Sequence, residues 1–330
     1  MIGVPILLSP DMMIYSYHIH TLRFSRSACG NASWRLLLSA LMLVTVPLAL
    51  SAQSRNKKTN NAANVTTPTV AIAPVLTRTT TRHEVRRFGY GSTLTVFGAP
   101  SGSITIEAWP RAEVDITADI ELHADTEADL TRLAAVNNFL IDEDFNHVRV
   151  LTTGIHDKAF MRRTAKNFPK NLLGLPWKIN YRIRVPANTD LEIDMGRGAF
   201  SLAGVDGAIK LTALESDATL ALAGGQLAAT IGRGNIKVKF AARSWRGAGI
   251  EIRLATGDMT VELPANFSAD IDASVLRTGA VENTFSALVP RERTNATAHS
   301  LNGRAGAGGA TLAFIVGDGK LRIKPENKEQ

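Results

Sequence analysis

The sequence predicts an all-β fold, a β-solenoid or β-helix-like stack of short strands closed by glycine turns, with one or two short helices in the N-terminal half. Three observations predict it. First, a glycine turn followed by apolar residues at alternate positions keeps returning. It occurs as Gly196-Arg197-Gly198 before Phe200 and Leu202, as Asp206-Gly207 before Ile209 and Leu211, and as Gly232-Arg233-Gly234 before Ile236 and Val238. It closes as Gly257-Asp258 before Met259, Val261 and Leu263, then as Gly317-Asp318-Gly319 before Leu321 and Ile323. Period-two alternation puts one set of side chains on one sheet face, so each unit reads as a strand behind a tight turn. Second, Gly196 and Gly232 lie 36 residues apart, two coils of about 18, although other spacings drift. Third, Val185-Pro186-Ala187-Asn188 is echoed by Leu263-Pro264-Ala265-Asn266, each followed by acidic-apolar alternation.

The elements follow in order. Residues 1–52 read as a leader. Arg23, Arg26 and Arg35 precede an apolar run over 36–50, and Ala49, Ser51 and Ala52 supply a small-residue exit, the three parts of a secretory signal peptide. The run is shorter than the ~20 residues of a spanning helix; left uncleaved, it would instead serve as an N-terminal membrane anchor. More than thirty residues precede it, so translation is expected to start downstream of Met1. Cys29, the one cysteine, also precedes it, and the mature chain is expected to have no disulfide and no thiolate metal site. Residues 53–82 are polar, too poor in large apolar side chains to offset ordering entropy, and read as a disordered tether. Residues 83–325 form the expected β domain, and 326–330 a charged tail.

Within that domain, Leu94, Val96, Ile104, Ile106, Val114 and Ile116 mark early strands. Asp125 is the expected N-cap of a helix reaching Asn137, with Leu130, Leu133 and Ala134 as its apolar stripe. Strand alternation resumes at Ile141 and at Val148 and Val150. A basic insertion over 154–178 then breaks the rhythm, with Lys158, Arg162, Arg163, Lys166, Lys170 and Lys178 against Asp157 alone. Ile179, Tyr181, Ile183 and Val185 form the strand that leads into the repeat, and the small, polar stretch 291–309 reads as a loop.

Ser103-Ile104-Thr105-Ile106-Glu107-Ala108-Trp109, followed by Val114-Asp115-Ile116, resembles the opening of the bacterial putative-adhesin domains, a family related to auto-transporter adhesin-head domains. The two Pro-Ala strand ends and the ordered Gly-x-Gly and Gly-Asp units extend the resemblance over 86–324. It implies a β-solenoid-like fold, export to the periplasm, outer membrane or cell surface, and no catalytic residues.

Chemistry is sparse. The Gly-x-Gly turns lead into strands, whereas phosphate loops lead into a helix N-terminus. His83, His123, His147, His156 and His299 are scattered, without zinc-ligand spacing. Asp270 with Asp272, and Asp190 with Glu192 and Asp194, share strand faces, but the calcium β-roll repeat is missing. No metal and no cofactor is therefore expected. A polysaccharide lyase or hydrolase would need acids and bases on one exposed face, for which Asp194, Arg197, Asp217 and Arg233 are the outward candidates. The same residues equally keep exposed strands soluble. The net charge of +7 is partly leader and tether, and export argues against nucleic acid.

The candidate contact residues are Arg162, Arg163, Lys166, Lys170 and Trp177, which combine charge with apolar anchors suited to an anionic lipid surface, an acidic glycan or an envelope protein. The alternative is a helix and loop covering an open solenoid end, with the lysines solvated. The expected function is a non-catalytic envelope protein that binds through a repetitive β surface. The alternatives are a periplasmic partner or regulatory module, and a polysaccharide-active enzyme.

Overall fold

The computed structural model describes residues 76–292 and 296–326; the leader, most of the tether and the last four residues of the tail lie outside them. The described chain is mostly β. Its N-terminal part holds β1 (Leu76–Arg87), β2 (Thr93–Ser101), β3 (Ile104–Trp109), β4 (Glu113–Ala124), α1 (Glu127–Ala134), β5 (Asn138–Asp144) and β6 (His147–Thr153). The insertion forms α2 (Lys158–Thr164) and a single 3-10 turn at Lys170–Leu172. The repeat follows as β7 (Trp177–Pro186), β8 (Asp190–Arg197), β9 (Phe200–Ala203), β10 (Ala208–Glu215), β11 (Ala218–Leu222), β12 (Gln226–Arg233), β13 (Ile236–Phe240), β14 (Gly249–Thr256) and β15 (Met259–Leu263). The C-terminal part is β16 (Ala269–Val275), β17 (Gly279–Asn283), β18 (Leu288–Pro290), β19 (Ser300–Ala305) and β20 (Thr311–Pro325).

Hydrogen bonding arranges these strands in two ladders that share β20. One runs β5-β6-β2-β8-β10-β12-β14-β20-β16-β19-β18. The other runs β1-β4-β7-β3-β9-β11-β13-β15-β20-β17. Each ladder is parallel in its middle and antiparallel at its margins, except that β17 joins β20 in parallel. Successive strands of the repeat alternate between ladders. Leu191, Ile209 and Leu227 are register partners, an offset of 18 residues. The next step, Leu227 to Ile250, is longer because a loop between β13 and β14 inserts Trp245. That ring packs edge-on against Phe240, with centroids 5.8 Å apart.

Register turns alternation into stacked rows. Leu94, Leu191, Ile209, Leu227, Ile250 and Leu312 form one buried row, and Ile106, Leu202, Leu220, Val238, Val261 and Ile323 another. Each such side chain contributes about 1.5–3 kcal/mol by leaving water. A one-residue slip would turn a whole row to solvent, so the pattern fixes the register. At several corners between rows the chain turns at glycine. Gly234 has φ +136°, and a Cβ there would sit 2.0 Å from the Ser216 carbonyl oxygen of the neighbouring turn. Aspartates at the turns have a second role: Asp217 Oδ1 accepts from the Asn235 N–H (2.8 Å) and Asp258 Oδ1 from the Lys320 N–H (2.9 Å), tying each turn to the next in the stack of paired strands.

Several boundaries differ from the sequence expectation. Residues 76–82, assigned to the tether by composition, lie in β1, because its Arg and Thr side chains pair with Asp119 and Glu127 beside it. Thr126, not Asp125, caps α1, accepting from the Asp129 N–H, and the helix ends at Ala134. The stretch 291–309 contains β19, antiparallel to β16; its inward positions are Leu301, Gly303 and Ala305, so small residues hid the strand.

Candidate binding surface

The basic insertion is built on α2. Asp157, its only acid, is consumed as the N-cap, accepting from the Ala159 (2.9 Å) and Phe160 (3.0 Å) N–H groups. Met161 and Leu172 are buried and Phe160 and Phe168 half-buried, so the apolar residues anchor the segment on the core. Lys158, Arg162, Arg163, Lys166 and Lys170 are all exposed. Among the described residues none of these five makes an ion pair. Between the end of α1 and the segment after α2 lies a groove of about 800 Å³, whose wall includes Arg132, Val136, Arg163, Lys166 and Phe168. An anion entering it meets guanidinium and ammonium groups over an apolar floor.

Trp177 departs from this surface. It opens β7 with its side chain buried, stacked 5.4 Å from the His156 ring, and burial lowers the His156 pKa below the usual imidazole range despite the nearby Asp157. Its neighbour in the sequence is basic, but its position in the strand points inward. Leu173, 42% exposed, is the apolar side chain the insertion offers to solvent.

The other candidate residues do not converge on a reaction centre. Arg197 and Arg233 flank Glu215 in register, with Arg197 Nε 3.4 Å from the Glu215 carboxylate. Asp194 sits mid-strand beside Thr212, and Asp217 is held by Asn235. Asp270 and Asp272 pair with Arg304 and Arg291. His83 lies 3.0 Å from Asp115, which also accepts from Arg184 at 2.6 Å. Among the described residues no group of three or more His, Cys, Asp or Glu is placed to hold a metal, and no helix is long and apolar enough to cross a membrane.

One charged cluster escaped sequence reasoning. Glu262 on β15 is nearly buried between Lys237 on β13 and Lys324 on β20, at 3.1 and 3.2 Å, with Lys239 at 3.8 Å. Aligning the strands on their glycine turns would have found it.

No family model and no curated protein matches the chain. Among solved structures it is similar to a putative cell adhesion protein from Clostridium sporogenes, at 11% identity over 75% of this chain and 100% of that one, with a TM-score of 0.40. A putative adhesin from Bacteroides fragilis (9% identity, 75% and 97% covered, TM-score 0.26) and one from Parabacteroides distasonis (9%, 74% and 97%, 0.20) also match. The last two carry the name of the family that the sequence resembles.

Proposed function

We propose that this chain is an exported, non-catalytic binding module of the cell envelope, a β-solenoid-like scaffold that attaches to an anionic surface through its basic insertion. The parallel 18-residue register of β8, β10 and β12 supports the solenoid reading. The observation that carries the function is the set of five exposed cations on α2 and the following turn whose one neighbouring acid is spent on a helix cap. In this reading 1–52 is the leader, 53–75 the tether and 76–325 the folded domain, placing the module in the periplasm or at the outer surface.

The test is replacement of Arg162, Arg163 and Lys166 by glutamate. Each basic residue near an anionic surface contributes about 1 kcal/mol. Loss of three should weaken binding to anionic vesicles or an acidic polysaccharide matrix by roughly 100-fold, with an unchanged melting curve. Equal retention of variant and parent on both would overturn the proposal.

A protein-partner reading is favoured by one separate observation. Leu140, Leu151 and Phe97 are register neighbours on one outward face; Leu140 and Phe97 are exposed, and Phe145 on the adjoining turn is 96% exposed. Changing Leu140 and Phe97 to serine should abolish envelope association if this row is the anchor, and leave it intact if the insertion is.

A further inference from the structure

We propose that the outward face of β11, β13, β15 and the second half of β20 is a separate binding site for a linear acidic polysaccharide, gripped by Lys237, Lys239 and Lys324 around Glu262. The inference rests on the reading of the chain as a binding module, but uses none of the insertion's residues.

Register builds the site. Ala221, Lys239, Glu262 and Lys324 form one cross-strand row, and Thr219, Lys237, Thr260 and Arg322 the next. With strands about 4.8 Å apart, Lys239 and Lys324 stand about 10 Å from each other across Glu262, and Lys237 is about 7 Å along the strand from Lys239. Three ammonium groups share one carboxylate that is 7% exposed, which leaves two positive charges uncompensated there. The Lys239 ammonium, at 3.8 Å, is beyond hydrogen-bonding distance of it. Of the other charges of this face, Arg322 lies 3.1 Å from both Asp258 and Glu282 and Lys320 is 3.4 Å from Glu282, while the Asp217 carboxylate, held by Asn235, offsets one of the two free positive charges.

A trough of about 370 Å³ is lined by Lys237 and Lys324, with Asp217, Thr219, Asn235, Asp258 and Thr260 along it, and Lys239 stands one row further on. That volume is within the range of small-ligand sites, about 300–1,000 Å³. Hydroxyl, amide and carboxylate groups accept and donate to sugar hydroxyls, and the lysines take the acidic group. None of the large apolar side chains found exposed lies on these strands. The face therefore lacks a stacking platform for bases, an anchor for a protein and a wedge for a bilayer. An acidic glycan needs none of them.

Calorimetric titration of the full chain with an α-1,4-linked tetragalacturonate, and with its methyl ester as a neutral twin, tests the site. The acid should bind and the ester bind at least tenfold more weakly. Lys239→Gln and Lys324→Gln should each cost about tenfold in affinity, the loss of one charge-assisted hydrogen bond. Glu262→Gln, which removes the competing anion, should tighten binding, a change no purely structural role produces. A circular-dichroism melt confirms folding, and Lys239→Gln, which breaks no short contact, serves if another variant unfolds. Equal binding of acid and ester, or unchanged affinity in Lys239→Gln, overturns the site. Loss of tetragalacturonate binding in the Arg162/Arg163/Lys166 variant assigns the glycan to the insertion; it refutes this inference and leaves the proposed function standing.

Discussion

Alanine at Gly234 should cost far more stability than alanine at an open turn. Gly234 has φ +136°, a region side-chain-bearing residues avoid at a cost of about 1–3 kcal/mol. The new methyl would also lie 2.0 Å from the Ser216 carbonyl oxygen, so the two turns must part. Parting them strains the bond from the Gly234 N–H to the Thr256 carbonyl (3.1 Å) and that from the Ser216 N–H to the Arg233 carbonyl (2.8 Å). At about 1 kcal/mol each, the total reaches about 3–5 kcal/mol. For a domain of this size that lowers Tm by about 10 °C. Gly91 is the control: its φ is +71°, nothing lies within 4 Å of an added Cβ, and Gly91→Ala should cost only about 1–2 kcal/mol. Thermal and urea melts followed by circular dichroism measure both. Equal losses in the two variants would refute the stacked-corner argument.

Three further outcomes follow from the packing. Trp177→Ala should lose about 3–5 kcal/mol on urea unfolding, as a core deletion does, whereas a surface contact residue would lose under about 0.5. Tyr181 donates or accepts a 2.8 Å hydrogen bond with Thr152, and burial pushes its phenol pKa upward; Tyr181→Phe should cost about 1 kcal/mol, and a neutral effect would show the pair to be idle. Burial raises the Glu262 pKa, but the Lys237 and Lys324 ammonium groups outweigh it and the net shift is downward from about 4.5. A depressed folded-state value means stability that is complete above the unfolded value and lost as pH falls through the folded one. The chain should therefore weaken below about pH 4.5, and Glu262→Gln should flatten that fall. Parallel pH curves for the two proteins contradict the assignment.

The core of the repeat was readable because two independent signals coincide there. Alternation names the inward residues, and a glycine turn precedes the strand, so Ile209, Leu211, Ile236 and Val238 could be placed inside from sequence alone. Where one signal fails the strand is hidden. β19 turns Gly303 and Ala305 inward, and β1 is held by polar side chains rather than apolar ones. Trp177 was misplaced because a basic run says nothing about which way its last aromatic faces. The lysine site was missed for a topological reason: Lys237 and Lys324 lie 87 residues apart and meet only because β13, β15 and β20 are in register, which shows only when those strands are aligned on their glycine turns. The basic insertion was legible because its charges are contiguous in the chain.

The central claim is attachment through unpaired charge on the insertion. The most direct measurement is a binding isotherm on anionic vesicles and on an acidic polysaccharide matrix, from low to physiological salt, for the parent and for the Arg162→Glu/Arg163→Glu/Lys166→Glu variant. The parent should bind at least one matrix in a salt-sensitive way, and the variant should bind it roughly 100-fold more weakly with the same Tm. Superimposed isotherms for the two proteins at every salt concentration would contradict it.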